Sequence, residues 1–198
     1  MKIAIIKYNA GNIMSVDYAL QRLGVQAVVT QDHELIRSAD KVIFPGVGEA
    51  STTMQYLKKH GLDKLICELR QPVLGICLGL QLMCRYSEEG NTDCLGIFDT
   101  EVLKFRLPEK SDGFKIPHMG WNCINKVRSP LFKAEHEDQY VYFVHSYYAA
   151  VCKETAAETN YIVPFSAGLQ RDNFYATQFH PEKSGIVGAS LLENFLRL

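Results

Sequence analysis

Short β-branched runs alternate with amphipathic helical stretches through the first half of the chain. Lys2–Lys7 is predicted to be a buried strand, and apolar residues at helical spacing follow from Ile13 to Leu23, with Asn12 as N-cap and Gly24 as the stop. Strand–helix–strand units cross over right-handed, so this order predicts a parallel sheet covered by helices on both faces. The further predicted strands are Val25–Thr30, Lys41–Phe44 and Pro72–Ile76, and the further helices Ala50–His60, Leu62–Arg70 and Leu78–Tyr86.

The second half of the chain has few helical patterns and is rich in aromatic and β-branched residues. We expect added, antiparallel strands here at Lys115–Val127, Gln139–Val151, Asn160–Leu169 and Asn173–Gln178. A closing helix is expected at Ile186–Arg197. The fold prediction is therefore one α/β domain over residues 1–198, with three layers and a mixed, mostly parallel central sheet.

Charge and hydropathy exclude several classes of protein. The chain carries 21 basic and 22 acidic side chains, for a net charge of −1, which argues against a nucleic-acid binder held by a basic face. No apolar run approaches the roughly 20 residues of a membrane span. The apolar stretch at the N-terminus is too short for a signal peptide. We expect a cytosolic protein that binds neither nucleic acid nor membrane.

The six cysteines and six histidines show no metal-binding spacing. There is no Cys-x-x-Cys pair, and no two histidines have the His-x-x-x-His spacing of a helical site. We therefore expect no metal and no cofactor, and thiols that are reduced and mostly buried. The cysteines are Cys67, Cys77, Cys84, Cys94, Cys123 and Cys152.

One cysteine occupies a strand-to-helix turn that is typical of a nucleophile. The segment Gly75-Ile76-Cys77-Leu78-Gly79 has the Gly-x-nucleophile-x-Gly arrangement, in which glycines allow a sharp turn around an exposed reactive side chain. A thiol at a helix N-terminus is favoured as thiolate, and the backbone N–H of Leu78 would face the forming oxyanion. From this motif alone, a buried core thiol in a tight turn remains the alternative. Cys84, further along the same predicted helix, is interpreted as core.

A candidate base lies about a hundred residues later. His180 follows a strand-like run and is followed by Pro181, which should end the strand. Residues two apart in an extended chain share a face, so Glu182 could orient the imidazole of His180 and stabilise its charged form. Taken alone, the same residues could form a surface turn. An activated cysteine nucleophile needs such a base, so their joint presence favours catalysis.

At these residues the chain resembles the class I, or triad-type, glutamine amidotransferases, whose domain is flavodoxin-like. Within that family it is similar to the glutaminase subunits of imidazole glycerol phosphate synthases, from histidine biosynthesis. There are two departures: the first loop, which in the family often begins with Asp and Gly, is Lys7–Asn12 here, and Glu49 stands where a small residue is commoner. The matching segments are Gly75–Gln81, Phe179–Glu182, Pro45–Gly48, Ser87–Gly90, His118–Asn122, His145–Tyr148 and Lys183-Ser184.

The resemblance implies hydrolysis of glutamine to glutamate and ammonia through a thioester. Cys77 would attack the side-chain amide, and His180, held by Glu182, would protonate the ammonia and then activate water. Backbone amides of Val47 and Gly48 would complete the oxyanion hole beside Leu78. The residues implied in binding glutamine are Gly46, Gln81, Glu89, His145, Ser146 and Tyr147.

The resemblance also implies a partner. Ammonia would pass through a sealed interface to a (β/α)8-barrel cyclase subunit, which makes imidazole glycerol phosphate and an aminoimidazole carboxamide ribotide. The two subunits would form a heterodimer. The residues implied at this interface are Trp121, Asn122, Met119, Asn12 and Lys183.

Three other functions account for only part of the sequence. The glutaminase subunit of pyridoxal phosphate synthase has a Gly-Glu-Ser-Thr signature, which Ala50 interrupts here. A peptidase or hydrolase with an elbow cysteine would not explain Trp121 or the run His145–Tyr148. A non-catalytic scaffold would not need Cys77, His180 and Glu182 together.

Overall fold

A seven-stranded sheet forms the centre of the protein in a computed structural model that describes residues 1–8, 12–109 and 113–198. The first four strands all belong to it, and their predicted positions are correct to within two or three residues. The strands are β1 (Ile3–Ile6), β2 (Ala27–Thr30), β3 (Lys41–Gly46), β4 (Val73–Cys77), β5 (Tyr86–Ser87), β6 (Thr92–Asp93), β7 (Glu101–Lys104), β8 (His118–Ile124), β9 (Gln139–His145), β10 (Tyr147–Ala149), β11 (Thr155–Tyr161), β12 (Val163–Arg171) and β13 (Phe174–Thr177).

The order of strands in the central sheet is β11-β12-β13-β4-β3-β1-β2. Strands β2, β1, β3, β4 and β13 run parallel, whereas β12 and β11 are antiparallel additions at one edge. The mixed, mostly parallel sheet is therefore confirmed. Two smaller sheets, β10-β7-β5-β6 and β8-β9, lie outside it.

Helices cover both faces of the central sheet, as predicted. Alternate residues of β1 divide between two hydrophobic clusters, with Ala4 and Ile6 on one face and Ile3 and Ile5 on the other. The helices are α1 (Ile13–Arg22), α2 (His33–Arg37), α3 (Ala50–Lys59), α4 (Leu62–Glu68), α5 (Leu78–Met83) and α6 (Gly185–Arg197). The first cluster packs against α2 to α5, and the second against α1, α6 and the β8-β9 sheet.

The second half departs from the prediction in strand direction and strand count. Strand β13 pairs parallel with β4, because the chain returns to the middle of the sheet after the β11-β12 hairpin. The predicted strand Asn160–Leu169 spans the turn of that hairpin at Ile162, which has φ of 60°. Helix α2 was not predicted, although Asp32 caps it by accepting from the backbone amides of Glu34 and Leu35.

A close approach between β3 and α5 explains one glycine of the Cys77 turn. A Cβ on Gly79 would lie 2.0 Å from the carbonyl oxygen of Phe44 in β3. The neighbouring Gly75 is also crowded, since its Cβ would lie 2.9 Å from the sulfur of Met83. The helix can therefore start directly above the sheet only because these positions carry no side chain.

We expect Gly79→Ala to lower the free energy of unfolding by about 3 kcal/mol or more, because backbone has to move to admit the methyl group. Urea unfolding followed by circular dichroism measures this. Gly96→Ala is the matched control: Gly96 has φ of +68° and no atom within 4 Å of its Cβ, so the cost should be the roughly 1–2 kcal/mol of a left-handed alanine. Equal losses in the two variants would contradict the packing argument.

Candidate active site

Cys77 lies at the junction of β4 and α5 in a strained backbone conformation. Its φ is 54° and its ψ is −105°, a region that residues with a side chain rarely occupy. The side chain is 7% exposed, and it borders an open cavity of about 350 Å³. The turn therefore presents a largely buried thiol to a space that can hold a small molecule.

The parallel pairing of β4 and β13 brings His180 to Cys77. Thr177, the last residue of β13, is in register with Ile76, so both chains leave the sheet at the same edge. His180 follows three residues later and its side chain is fully buried. Cys77 and His180, about a hundred residues apart in sequence, thus lie close together because they follow adjacent strands.

Glu182 contacts His180 through a turn rather than along an extended strand. Residues Pro181–Lys183 form a short 3-10 helix, and the imidazole Nδ1 donates to Glu182 Oε1 over 2.7 Å. The extended conformation expected for residues 180–182 is therefore wrong, although the side chains of His180 and Glu182 do meet as predicted. Helix α6 packs tightly on this turn, since a Cβ on Gly188 would lie 1.9 Å from the carbonyl oxygen of Pro181.

The charges of its neighbours hold His180 in its protonated form. Burial alone would lower its pKa, but Cys77 and Glu182, acting by charge and by hydrogen bonding, raise the pKa to about 10. Within the described residues, His180 Nε2 and Glu182 Oε2 are buried without a hydrogen bond of ordinary geometry. Nε2 is thus the nitrogen left to exchange a proton with the thiol and with a bound molecule.

Asn12 lies beside the His180–Glu182 pair, a contact that its predicted role as a helix cap did not indicate. Its backbone is left-handed, with φ of 71°, and its side chain makes no capping hydrogen bond. The amide Nδ2 instead donates to Glu182 Oε1 over 2.5 Å. Asn12 thus occupies the predicted N-cap position, where its backbone carbonyl accepts from the amides of Ser15 and Val16, but its side chain does not cap the helix. The loop residues 9–11 just before it lie outside the described residues.

Strand β3 brings the Pro-Gly-Val-Gly segment next to the cysteine. Gly46 pairs with Cys77, and Val47 and Gly48 follow at the rim of the cavity, which Leu78 also lines. Tyr8 donates its hydroxyl hydrogen to the carbonyl of Pro45, and a Cβ on Gly46 would collide with that hydroxyl. Gly46 is buried under the segment and does not line the cavity.

The cavity collects the other residues that the resemblance implies in glutamine binding. Gln81 Nε2 donates to the carbonyl of Tyr147 over 2.8 Å, and His145 Nδ1 donates to the same carbonyl over 2.7 Å. Glu89 Oε2 accepts from the backbone amide of Ala50. Burial raises the pKa of Glu89, the bond from Ala50 opposes this, and the charge of Glu49 adds to it. The cavity is lined by Val47, Gly48, Cys77, Leu78, Gln81, Glu89, Pro117, Val144, His145, Ser146 and Tyr147.

Two residues near the cavity were not assigned from the sequence. Gln178 is fully buried, and its Nε2 points at the sulfur of Cys77 from 3.7 Å while its Oε1 accepts from Gln81. In the sequence, the position of Gln178 two residues before His180 could have indicated that it lies near the site. Glu49, noted as a departure, caps α3 by accepting from the amides of Ser51 and Thr52, and these bonds, with that of the Ser51 hydroxyl, lower its pKa to about 2.

Two of the five residues implied at a partner interface belong to an exposed apolar patch. Met119 and Trp121 point outward from β8 and are 62% and 56% exposed, and Ile186, at the start of α6, is 90% exposed. Lys183 is exposed close by. Asn122 differs, because its amide donates to His118 and to the carbonyl of Asn160. Asn12 is half-buried, with its amide on Glu182.

The described residues show little else that would suggest another chemistry. All six cysteines are free, with Cys77 and Cys84 buried and Cys67 exposed; the prediction of mostly buried thiols is therefore wrong. No group of three or more His, Cys, Asp or Glu side chains in the described part of the chain could hold a metal ion. Across the same residues, no helix is both long and apolar enough to span a membrane. A cysteine, a base and an orienting carboxylate beside a cavity suit acyl transfer.

The sequence is similar to those of known proteins over essentially its whole length. The sequence matches the family described as glutamine amidotransferase class-I over residues 4–198. It is 67% identical over 198 residues to the imidazole glycerol phosphate synthase subunit HisH of Bacteroides fragilis (strain YCH46), covering all of both chains. It is 46% identical to the subunit of that name from Pectobacterium atrosepticum, again over all of both chains.

The fold is also found in a solved structure of low sequence identity. A crystal structure of a glutamine amidotransferase from Thermotoga maritima superposes with a TM-score of 0.63 at 16% identity, covering all of this chain and 83% of the other. The chain belongs to the class I glutamine amidotransferases and, within them, to the HisH subunits of imidazole glycerol phosphate synthase.

Proposed function

We propose that this chain hydrolyses glutamine with Cys77, His180 and Glu182 and passes the ammonia to a cyclase subunit in histidine biosynthesis. The observation that carries the proposal is the buried His180–Glu182 pair beside Cys77, whose thiol borders the open cavity. Membership of the HisH family supports the reaction and the pathway.

In the first half of the reaction, the thiolate of Cys77 attacks the side-chain amide carbon of glutamine. A C–S bond forms, the C–N bond breaks, and the proton on His180 Nε2 moves to the departing nitrogen, so that ammonia leaves. In the second half, the neutral imidazole takes a proton from water while its oxygen attacks the thioester. Glutamate leaves as the C–S bond breaks, and the thiolate and imidazolium are restored.

The oxyanion of each tetrahedral intermediate lies over the start of α5. The backbone N–H of Leu78 is in the first turn of that helix, where amides have no acceptor within the helix. The amides of Val47 and Gly48 approach from the adjacent strand. Gly48 has φ of +139°, a conformation reserved for glycine, so this peptide can rotate without a side-chain clash.

Substrate recognition uses the polar groups of the cavity wall. Glu89 supplies a negative charge for the α-ammonium of glutamine. The pKa of Glu89 is raised, mainly by burial, and the positive charge of the bound ammonium would lower it again. Gln81 offers its amide, while His145, Ser146 and Tyr147 close the opposite wall. Gly46 contributes indirectly, because the absence of a side chain lets Pro45–Gly48, the segment with the oxyanion amides, pack on Tyr8.

The cyclase subunit covers the apolar patch of Met119, Trp121 and Ile186, forming a heterodimer. Such a patch is typical of a protein interface, and Lys183 at its border adds a charge. Asn12 links this face to the triad, and Asn122 contributes through the backbone of β8. We expect the complex to act in the cytoplasm and without a cofactor. The alternative, a pyridoxal phosphate synthase glutaminase, is not favoured by relatives that are named as imidazole glycerol phosphate synthase subunits.

Removing the proposed nucleophile should abolish hydrolysis. We expect Cys77→Ala to reduce glutamate release in the complex with the cyclase subunit by about a thousandfold or more, because covalent capture is lost. Cys67→Ala, which removes an exposed thiol, is the matched control and should be as active as the unmodified protein. Substantial turnover by Cys77→Ala would exclude the thioester route.

The amide of Asn12 should contribute to catalysis through Glu182. We expect Asn12→Gly to lower kcat about tenfold, because a hydrogen bond to a charged group is lost while glycine tolerates the left-handed backbone. Glutamate release at saturating glutamine and saturating cyclase subunit measures this. Asp172→Gly, in the exposed β12-β13 turn at φ of 51°, should leave kcat unchanged. An unaltered kcat in Asn12→Gly would show that the amide does not assist the triad.

The apolar patch should carry the affinity for the cyclase subunit. We expect Trp121→Ala to weaken binding by more than about tenfold, since a large aromatic side chain is lost from the interface. Lys183→Ala should have a smaller effect that shrinks further at high salt. Titration calorimetry with the cyclase subunit measures both. Leu35→Ala, a half-exposed residue on α2 at the other face of the sheet, should bind normally, and a Trp121→Ala variant that also binds normally would refute the proposed interface.

A further inference from the structure

A chain of hydrogen bonds runs from the inner face of β8 to the wall of the cavity. His118 Nδ1 and His145 Nε2 are 3.0 Å apart, and His145 Nδ1 reaches the carbonyl oxygen of Tyr147. At the other end, Asn122 Nδ2 lies 3.3 Å from His118 Nε2. Neither ring contacts Cys77 in this network, and His118 does not line the cavity.

The direction of every bond in this chain is determined. A carbonyl oxygen only accepts, so His145 carries its proton on Nδ1, and in the neutral ring Nε2 must accept. His118 therefore donates from Nδ1, and its own Nε2 accepts from the amide of Asn122. That amide is held independently, because its Nδ2 also donates to the carbonyl of Asn160 and its Oδ1 accepts from the amide of Cys123.

The surroundings keep both rings neutral, as these directions require. Burial lowers the pKa of His118 to about 4, and burial lowers that of His145 to about 3, against the bond to Tyr147. His118 is stacked between Tyr161 and Phe143, at ring-centre distances of 3.9 and 4.8 Å. These two stacking contacts also fix the plane of the His118 ring, and therefore the direction in which Nδ1 donates.

The chain ends on a side chain that faces the substrate. Gln81 uses one N–H for the carbonyl of Tyr147 and the other for Oε1 of Gln178. Its own Oε1 accepts from no group among the described residues, and Gln81 lines the cavity. Both N–H groups of Gln81 are therefore engaged, and its Oε1 is free to accept a hydrogen bond from a molecule bound in the cavity.

We propose that His118 is a positioning residue for glutamine hydrolysis, which acts through His145 and the Tyr147 carbonyl to hold Gln81 as an acceptor for the substrate. The inference rests on the proposed function, since it takes glutamine as the molecule in the cavity. It assigns His118 to the substrate side of the site, whereas its strand neighbours Met119 and Trp121 face outward. The alternation of β8 separates these two roles.

Steady-state kinetics of three variants in the complex with the cyclase subunit test the proposal. His118→Phe keeps the ring stacking but loses the donor, and we expect the KM for glutamine to rise about tenfold with kcat reduced less than about threefold, because Gln81 does not touch the scissile bond. His118→Asn, whose amide nitrogen can replace Nδ1, should bring KM back to within about threefold of the unmodified protein. His136→Phe removes another buried histidine, bonded to Ser190, and should cost stability without changing KM.

A purely structural role predicts a different pattern. His118→Phe would then lose thermal stability and active fraction, as His136→Phe does, at an unchanged KM, and this outcome would overturn the proposal. Failure of His118→Asn to restore KM would also overturn it.

Tautomer spectra provide a readout that does not depend on turnover. In the 15N-histidine-labelled full chain at pH 7, long-range 1H–15N correlation should show His118 and His145 both neutral and both protonated on Nδ1. Protonation of His145 on Nε2, or a charged ring at either position, would refute the chain of bonds. An inactive unmodified complex with the expected tautomers would instead count against the proposed function.

Discussion

The parallel pairing of β4 with β13 is the constraint on which the active site depends. It places the ends of two strands that are about a hundred residues apart in sequence at one edge of the sheet, and ligands of open α/β sheets bind at that edge. Strand β3, on the other side of β4, delivers Pro45–Gly48 to the same place. Three adjacent parallel strands thus bring together Cys77, His180 and the segment proposed to bind the oxyanion, and helices α1 and α6 pack on the turn that carries Glu182.

The first half of the fold could be predicted because local pattern and tertiary role coincide there. Buried parallel strands are short β-branched runs, and each is followed by a helix whose apolar face is visible at a period of 3.6 residues. The second half could not, since an antiparallel hairpin separates β13 from its parallel partner, and no local signal in Asn173–Gln178 shows which neighbour it will have. The brief strands β5, β6 and β7, between Arg85 and Lys104, were also not predicted, because strands of two to four residues leave little periodicity. That residues 1–198 form one domain stays a prediction.

Within the site, the motifs located Cys77, His180 and Glu182, whereas contacts between distant segments were not predicted. Asn12 is the N-cap residue of α1 as predicted, but its amide also donates to the carboxylate of Glu182, which lies 170 residues later. Gln178 and His118 were overlooked because a buried amide or imidazole has no pattern of its own. Their roles follow only from which atoms lie opposite them.

The contact between Gly188 and Pro181 ties the geometry of the active-site turn to a helix that carries none of the site's residues. The turn that carries Glu182 packs against α6, whose backbone fits there only because residue 188 has no side chain. A substitution along α6 that shifts the helix would therefore also move the carboxylate that contacts His180.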